Sequence, residues 1–201
     1  MTHRSQRRLG RSLALLGLAF SVGVAARRQN GRELDERFFK WANAGVATPG
    51  RDRIFSAITE LGSFWSSLSA AGVIAISGRR RAAARALGAG AATWAIGQGL
   101  KRLFNRPRPY DAPEGSRLLI DRPQGQSWPS SHPAVLLAFA TVASRELGIS
   151  AAGRTGVVAL AGLVASSRVY LGVHYPSDVV GGLLIGRAIA DAWPGDAQGP
   201  G

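Results

Sequence analysis

Six apolar runs, rich in Ala, Gly, Val, Leu and Ser and broken by arginine clusters or turns, limit what this chain can fold into. They cover roughly residues 12–26, 61–77, 82–100, 133–147, 155–171 and 177–193. Runs of this length are too long for ordinary strands and read as helices. A spanning helix needs about 20 apolar residues, so each run is short for one. Their Gly, Ala and Ser content nonetheless suits helices that pack closely in lipid. The expected fold is therefore all-α: a polytopic membrane helical bundle of about six transmembrane helices. A soluble bundle of buried helices would share the pattern. Residues 30–58 are mixed and amphipathic, with Phe38, Phe39, Trp41, Ile54 and Phe55. They read as one or two interfacial helices with a turn at Thr48, Pro49 and Gly50. The whole of 1–194 is expected to form one domain, and the polar Gly/Pro-rich tail 195–201 to be disordered.

The charge balance narrows the setting. Lys and Arg number 25 against 12 Asp and Glu, a formal net charge of +13 in 201 residues. Such an excess suits nucleic acid, anionic lipid or an anionic substrate. The cations sit in short clusters (4–11, Arg27 with Arg28, 79–81) that punctuate apolar runs instead of interleaving with aromatics. That pattern marks membrane flanks, and no nucleic-acid partner is expected. The chain has no cysteine, which excludes disulfides and thiolate metal sites. The basic start followed by an apolar run resembles a secretory signal. With more apolar runs following, an uncleaved first helix with its N-terminus inside is the preferred reading. Counting helices from there puts 79–81 and 145–154 on the cytoplasmic side, as the positive-inside tendency asks. Arg27, Arg28 and Arg32 are exceptions. The loop 101–131 and the turn 171–177 then share the outer face of the cell membrane.

Three segments bring chemistry to that face: KRLFNRPRP (101–109), PSSH (129–132) and SRVYLGVHYPSD (167–178). Ionisable groups beside membrane-type segments are costly unless they have a task. Lys101 and Arg108 could approach one anion, the guanidinium as a bidentate fork and the ammonium as a point charge. A snorkelling Lys with a solvated Arg would look the same. Ser130 and Ser131 are placed to cap a helix whose free N–H groups form an anion site. An unperturbed histidine titrates near neutrality, so His132 at its mouth could protonate a leaving oxygen. Asp178 lies four residues after His174, spaced to hold one imidazole nitrogen and leave the other as nucleophile or base. Asp178 could equally serve the dipole of its own helix. Arg168 adds a third cation. Metal ligation is disfavoured, because only His3, His132 and His174 are available and Arg108 and Arg168 would repel a cation. A serine nucleophile beside His132 lacks the G-x-S-x-G elbow.

Taken together, the three segments resemble the three-part signature of the type 2 phosphatidic acid phosphatase and haloperoxidase superfamily. The resemblance implies that Lys101, Arg108 and Arg168 bind phosphate, with Ser130 and Ser131 beside them. It implies that His174 attacks phosphorus to give a phosphohistidine, oriented by Asp178, and that His132 protonates the leaving group. Cofactors and metals are not implied. The second motif usually reads Pro-Ser-Gly-His, whereas this chain carries Ser131, which keeps the N–H but adds bulk. The expected function is an integral-membrane lipid phosphatase. Its substrate is left open among polyprenyl diphosphate, phosphatidylglycerophosphate, phosphatidic acid and a polyprenyl-phosphoryl sugar phosphate. A vanadate-dependent haloperoxidase, a soluble acid phosphatase and a non-catalytic binder of anionic lipid are the alternatives. Membrane lipids are the expected surroundings, and no motif reads the oligomeric state.

Overall fold

The computed structural model describes residues 3–44, 48–112 and 116–194, so the tail 195–201 lies outside the described residues. These residues are all-helical, with no strand among them. The helices are α1 (His3–Ala25), α2 (Gln29–Asn43), α3 (Pro49–Glu60), α4 (Phe64–Ile76), α5 (Arg80–Phe104), α6 (Ser131–Glu146), α7 (Ala151–Tyr170) and α8 (Pro176–Ala192). Among the described residues of the long α5–α6 loop, Pro109–Asp111 form a 3-10 turn.

Local chemistry sets the boundaries. Thr48, Ser63 and Ser150 cap α3, α4 and α7, each accepting from the backbone N–H three residues on. The expected turn at Thr48, Pro49 and Gly50 is thus the N-terminus of α3, with Pro49 in the first turn where its missing N–H costs nothing. Helix α5 outruns the expected end near Lys101 and stops only at Asn105. Lys101 and Arg102 suit the negative end of the helix dipole, and Asn105 takes the left-handed conformation at φ 44°.

Helices α5, α6 and α8 form the centre, with α1 against α8, α4 against α5, and α7 against α6 and α3. Ala86, Ala89, Phe139, Val142 and Ala190 fill one core cluster. Phe104, Trp128 and Ile185 fill another beneath α1. Helix α1 is integrated into this packing: Ser12 Oγ donates to Ala188 O at 2.8 Å. A Cβ on its Gly23 would stand 2.6 Å from Phe104 and 2.8 Å from Trp128.

Large apolar side chains also point outward, among them Leu13, Phe20, Trp65, Val73, Ile76 and Leu103, with Ile76 89% exposed. Large apolar side chains exposed on α1, α4 and α5 suit contact with something other than water. Among the described residues, only Gln6–Ala25 is long and apolar enough to cross a membrane by length and composition, and Phe64–Ile76 is a shorter apolar helix. Length and hydropathy therefore do not establish six spans: α6 and α8 have 16 and 17 residues, and α5 carries five cations.

Candidate active site

The site is assembled by a close contact between α6 and α8. Gly182 and Gly186, one turn apart on α8, face the carbonyls of Ser130 and Ala134, and a Cβ on either glycine would run into those oxygens. Small residues at such a four-residue spacing let two backbones approach. Ser130 N–H then donates to Asp178 O at 2.9 Å, tying the PSSH segment to the start of α8. The loop before α8 is held from the other side, where Leu119 N–H donates to Leu171 O at 3.2 Å. Gly172 has φ +83°, and a side chain there would meet the Arg117 carbonyl. The 101–131 loop and the 171–177 turn thus meet at one end of the bundle.

His174 and Asp178 are both buried, at 2% and 0% exposure. Asp178 Oδ2 accepts the Tyr175 N–H at 2.8 Å and lies 3.4 Å from His174 Nδ1, long for a hydrogen bond. On the other side of the ring, Arg108 Nη1 stands 3.3 Å from His174 Nε2. A guanidinium can only donate, so Nε2 carries the lone pair and Nδ1 the proton facing Asp178. Burial first, then Arg108, Lys101 and Arg168, hold the His174 imidazole well below the usual histidine range, so it is neutral.

The three expected cations converge on the same end. Arg108 is 3% exposed and donates through Nε to Gly125 O at 2.8 Å and through Nη1 to Val173 O at 2.9 Å. Lys101 Nζ donates to Gln126 O at 2.9 Å. Arg168 Nη1 donates to Thr59 Oγ1 at 2.9 Å, reaching α3. His132, half-buried in the first turn of α6, is within electrostatic reach of Arg168, Lys101 and Arg108. The expectation that Ser130 and Ser131 cap α6 is corrected here. Ser130 makes no side-chain cap hydrogen bond, and both hydroxyls are buried without a protein partner among the described residues, as is Arg168 Nε. Caps and anion sites draw on the same residue type, and these two serines have donors to spare for an oxyanion.

Sequence reasoning missed Arg106 and Asp35. Arg106 is 6% exposed and bridges two carboxylates, through Nη1 to Asp178 Oδ1 at 2.7 Å and through Nη2 to Asp35 Oδ2 at 2.6 Å. Its guanidinium lies 4.3 Å from the centre of the Tyr175 ring. Asp35 comes from α2, where it shares the buried stripe with Phe39 and Asn43. That spacing was the available signal: a carboxylate one turn before an inward aromatic, on the face that should be apolar.

Cations gathered around an uncharged, carboxylate-backed imidazole suit a phosphatase that works by phosphoryl transfer. A family model described as the PAP2 superfamily matches residues 82–195, more than half of the chain, and the chain belongs to that superfamily. It is 39% identical over 138 residues to the decaprenylphosphoryl-5-phosphoribose phosphatase of Mycobacterium tuberculosis, a match covering 67% of this chain and 73% of the relative. In fold it is similar to the transmembrane PAP2-type phosphatidylglycerolphosphate phosphatase of Bacillus subtilis, with TM-score 0.75, 24% identity and coverage of 90% and 92% of the two chains. Aquifex aeolicus LpxE is similar with TM-score 0.70, 29% identity and coverage of 78% of this chain and 92% of that one.

Proposed function

We propose that this chain removes the terminal phosphate of a polyprenyl-phosphoryl sugar phosphate at the outer face of the cell membrane. The observation that carries the reading is the buried His174, neutral, with Asp178 facing Nδ1 and the Arg108 guanidinium at Nε2. The substrate class follows the relative at 39% identity, named for decaprenylphosphoryl-5-phosphoribose. Helices α1 and α4–α8 are taken as the membrane-spanning set, supported by the exposed large apolar side chains of α1, α4, α5 and α7, with α2 and α3 in the outer interface.

In the first step His174 Nε2 attacks phosphorus as the bond to the sugar oxygen breaks. His132 donates a proton to that oxygen, and the alcohol leaves. In the second step His132 takes a proton from water, the water oxygen attacks phosphorus, the P–N bond breaks and inorganic phosphate departs. Lys101, Arg108, Arg168, Ser130 and Ser131 hold the phosphoryl oxygens, where fixed donors act most strongly. Asp178 orients His174 and balances the positive charge that develops on its ring.

The test is phosphate release by purified protein in detergent from a decaprenylphosphoryl 5-phosphoribose, a polyprenyl diphosphate, phosphatidylglycerophosphate and phosphatidic acid. The sugar phosphate is expected to turn over fastest, His174→Ala to fall to background while keeping its helical spectrum, and excess EDTA to leave the rate unchanged. Turnover intact in His174→Ala would sink the mechanism, and strong EDTA inhibition would revive a metal.

A further inference from the structure

We infer that Asp35 and Arg106 are positioning residues for the phosphoryl transfer, acting through Asp178. This rests on the function proposed above.

The geometry is a chain of buried groups running from α2 to His174. Asp35 is 5% exposed. Its Oδ1 accepts the Ser177 N–H at 2.9 Å, and its Oδ2 accepts from Arg106 and from the Ser177 hydroxyl. Arg106 Nη1 donates at 2.7 Å to both Ser177 Oγ and Asp178 Oδ1. Asp178 thereby spends Oδ1 on Arg106, leaving Oδ2 for the Tyr175 N–H and for His174 Nδ1. A rigid guanidinium fork anchored at both ends fixes the carboxylate plane in a way an ammonium would not.

Charge matters as much as direction. If Arg106 paired with Asp178 alone, it would cancel the carboxylate that must balance a developing charge on His174. Shared between two carboxylates, Arg106 leaves one net negative charge in the trio. The second carboxylate therefore lets Arg106 orient Asp178 without neutralising it. It also leaves Arg106 unavailable to phosphate, since both edges of its fork face carboxylates. A purely structural ion pair would need only the link between α2 and the α8 start, and would not depend on Asp178.

Asp35→Asn measured on decaprenylphosphoryl 5-phosphoribose in detergent micelles should lower kcat about tenfold with KM within about twofold, the pattern of an interaction lost in the transition state. The same substitution in an Asp178→Asn background should change kcat less than about twofold, because residues acting through one group are not additive. Arg106→Gln should lower kcat further than Asp35→Asn, and Arg106→Lys should recover part of the loss by restoring charge. Should Asp35→Asn fail to fold, Ser177→Ala trims the same network without removing charge and should lower kcat about threefold. Unchanged kcat in Asp35→Asn, or in Ser177→Ala where that stands in, overturns the inference. So does an equal loss in the Asp178→Asn background, or an effect confined to KM. If His174→Ala is inactive while Asp35→Asn behaves as wild type, only this inference falls; if His174→Ala stays active, the underlying mechanism falls with it.

Discussion

The glycines of α8 make a prediction whose size follows from the packing. A Cβ on Gly186 would stand 3.0 Å from both Cα and the carbonyl carbon of Ala134, and nearer still to its oxygen. Carbon atoms sit best about 3.5–4.0 Å apart, so Gly186→Ala must part α6 from α8 by about 0.5–1 Å. Gly182→Ala does the same one turn nearer the site, against the Ser130 carbonyl. The Ser130 N–H bond to Asp178 O, 2.9 Å in the native packing, then stretches, and His132 on α6 moves relative to His174. A displacement of about 1 Å at a catalytic pair costs up to about 10²-fold in rate, or roughly 2.7 kcal/mol of barrier. Gly162→Ala on α7 is the control, since nothing lies within 4 Å of its would-be Cβ. There the better helix propensity of alanine should stabilise by up to about 1 kcal/mol. The assay pairs kcat for phosphate release with thermal unfolding in detergent. Gly182→Ala should lose both activity and Tm, while Gly162→Ala keeps activity and gains slightly in Tm. Equal behaviour of the two variants would refute the claim that this contact sets the site.

Acid should destabilise the protein through His174. Its imidazole is buried neutral, well below the usual histidine range. Below the unfolded value of about 6.5, the unfolded chain therefore binds a proton that the native state does not. Stability should fall by up to about 1.4 kcal/mol per pH unit as pH drops from about 6.5 toward the folded value. Thermal midpoints from pH 7.5 to 5.5 should show a shallower fall for His174→Gln, and parallel curves would refute the assignment. At the end of α5, Asn105→Val should cost about 1–2 kcal/mol because φ 44° suits asparagine or glycine, while Asn105→Gly should stay close to wild type. Equal midpoints for those two variants would count against the left-handed stop.

What was legible in the sequence was what local spacing encodes. The helix segments show because apolar runs end at prolines, serines and arginines, each with its own boundary chemistry. His174 and Asp178 show because four residues across a turn into a helix bring them together. Asp35 and Arg106 did not, because they meet across 71 positions. An acidic residue in an amphipathic helix ordinarily faces water, and only the register with Phe39 and Asn43 turned this one inward. The GGLLIG run is visible in α8, but no pattern names the helix it meets. Ser130 and Ser131 misled for a related reason, since hydroxyls that could cap a helix are the same hydroxyls that could hold an oxyanion.

The two arginines of the NRPRP segment bring out a rule the sequence could not supply. Arg106 is surrounded by carboxylates at 2.6 and 2.7 Å and so has no net charge to offer an anion. Arg108, two residues on, is held by the carbonyls of Gly125 and Val173. Lys101 is held by Gln126 O, and Arg168 by the Thr59 hydroxyl. Neutral acceptors fix the geometry of these three cations, while Arg168 Nε keeps no protein partner among the described residues. Phosphate oxygens can then meet cations that are already in place, which is the condition under which electrostatic stabilisation is worth most. On the function proposed above, the nature of the acceptor, carboxylate or neutral oxygen, separates the positioning Arg106 from the phosphate-binding Arg108 and Arg168.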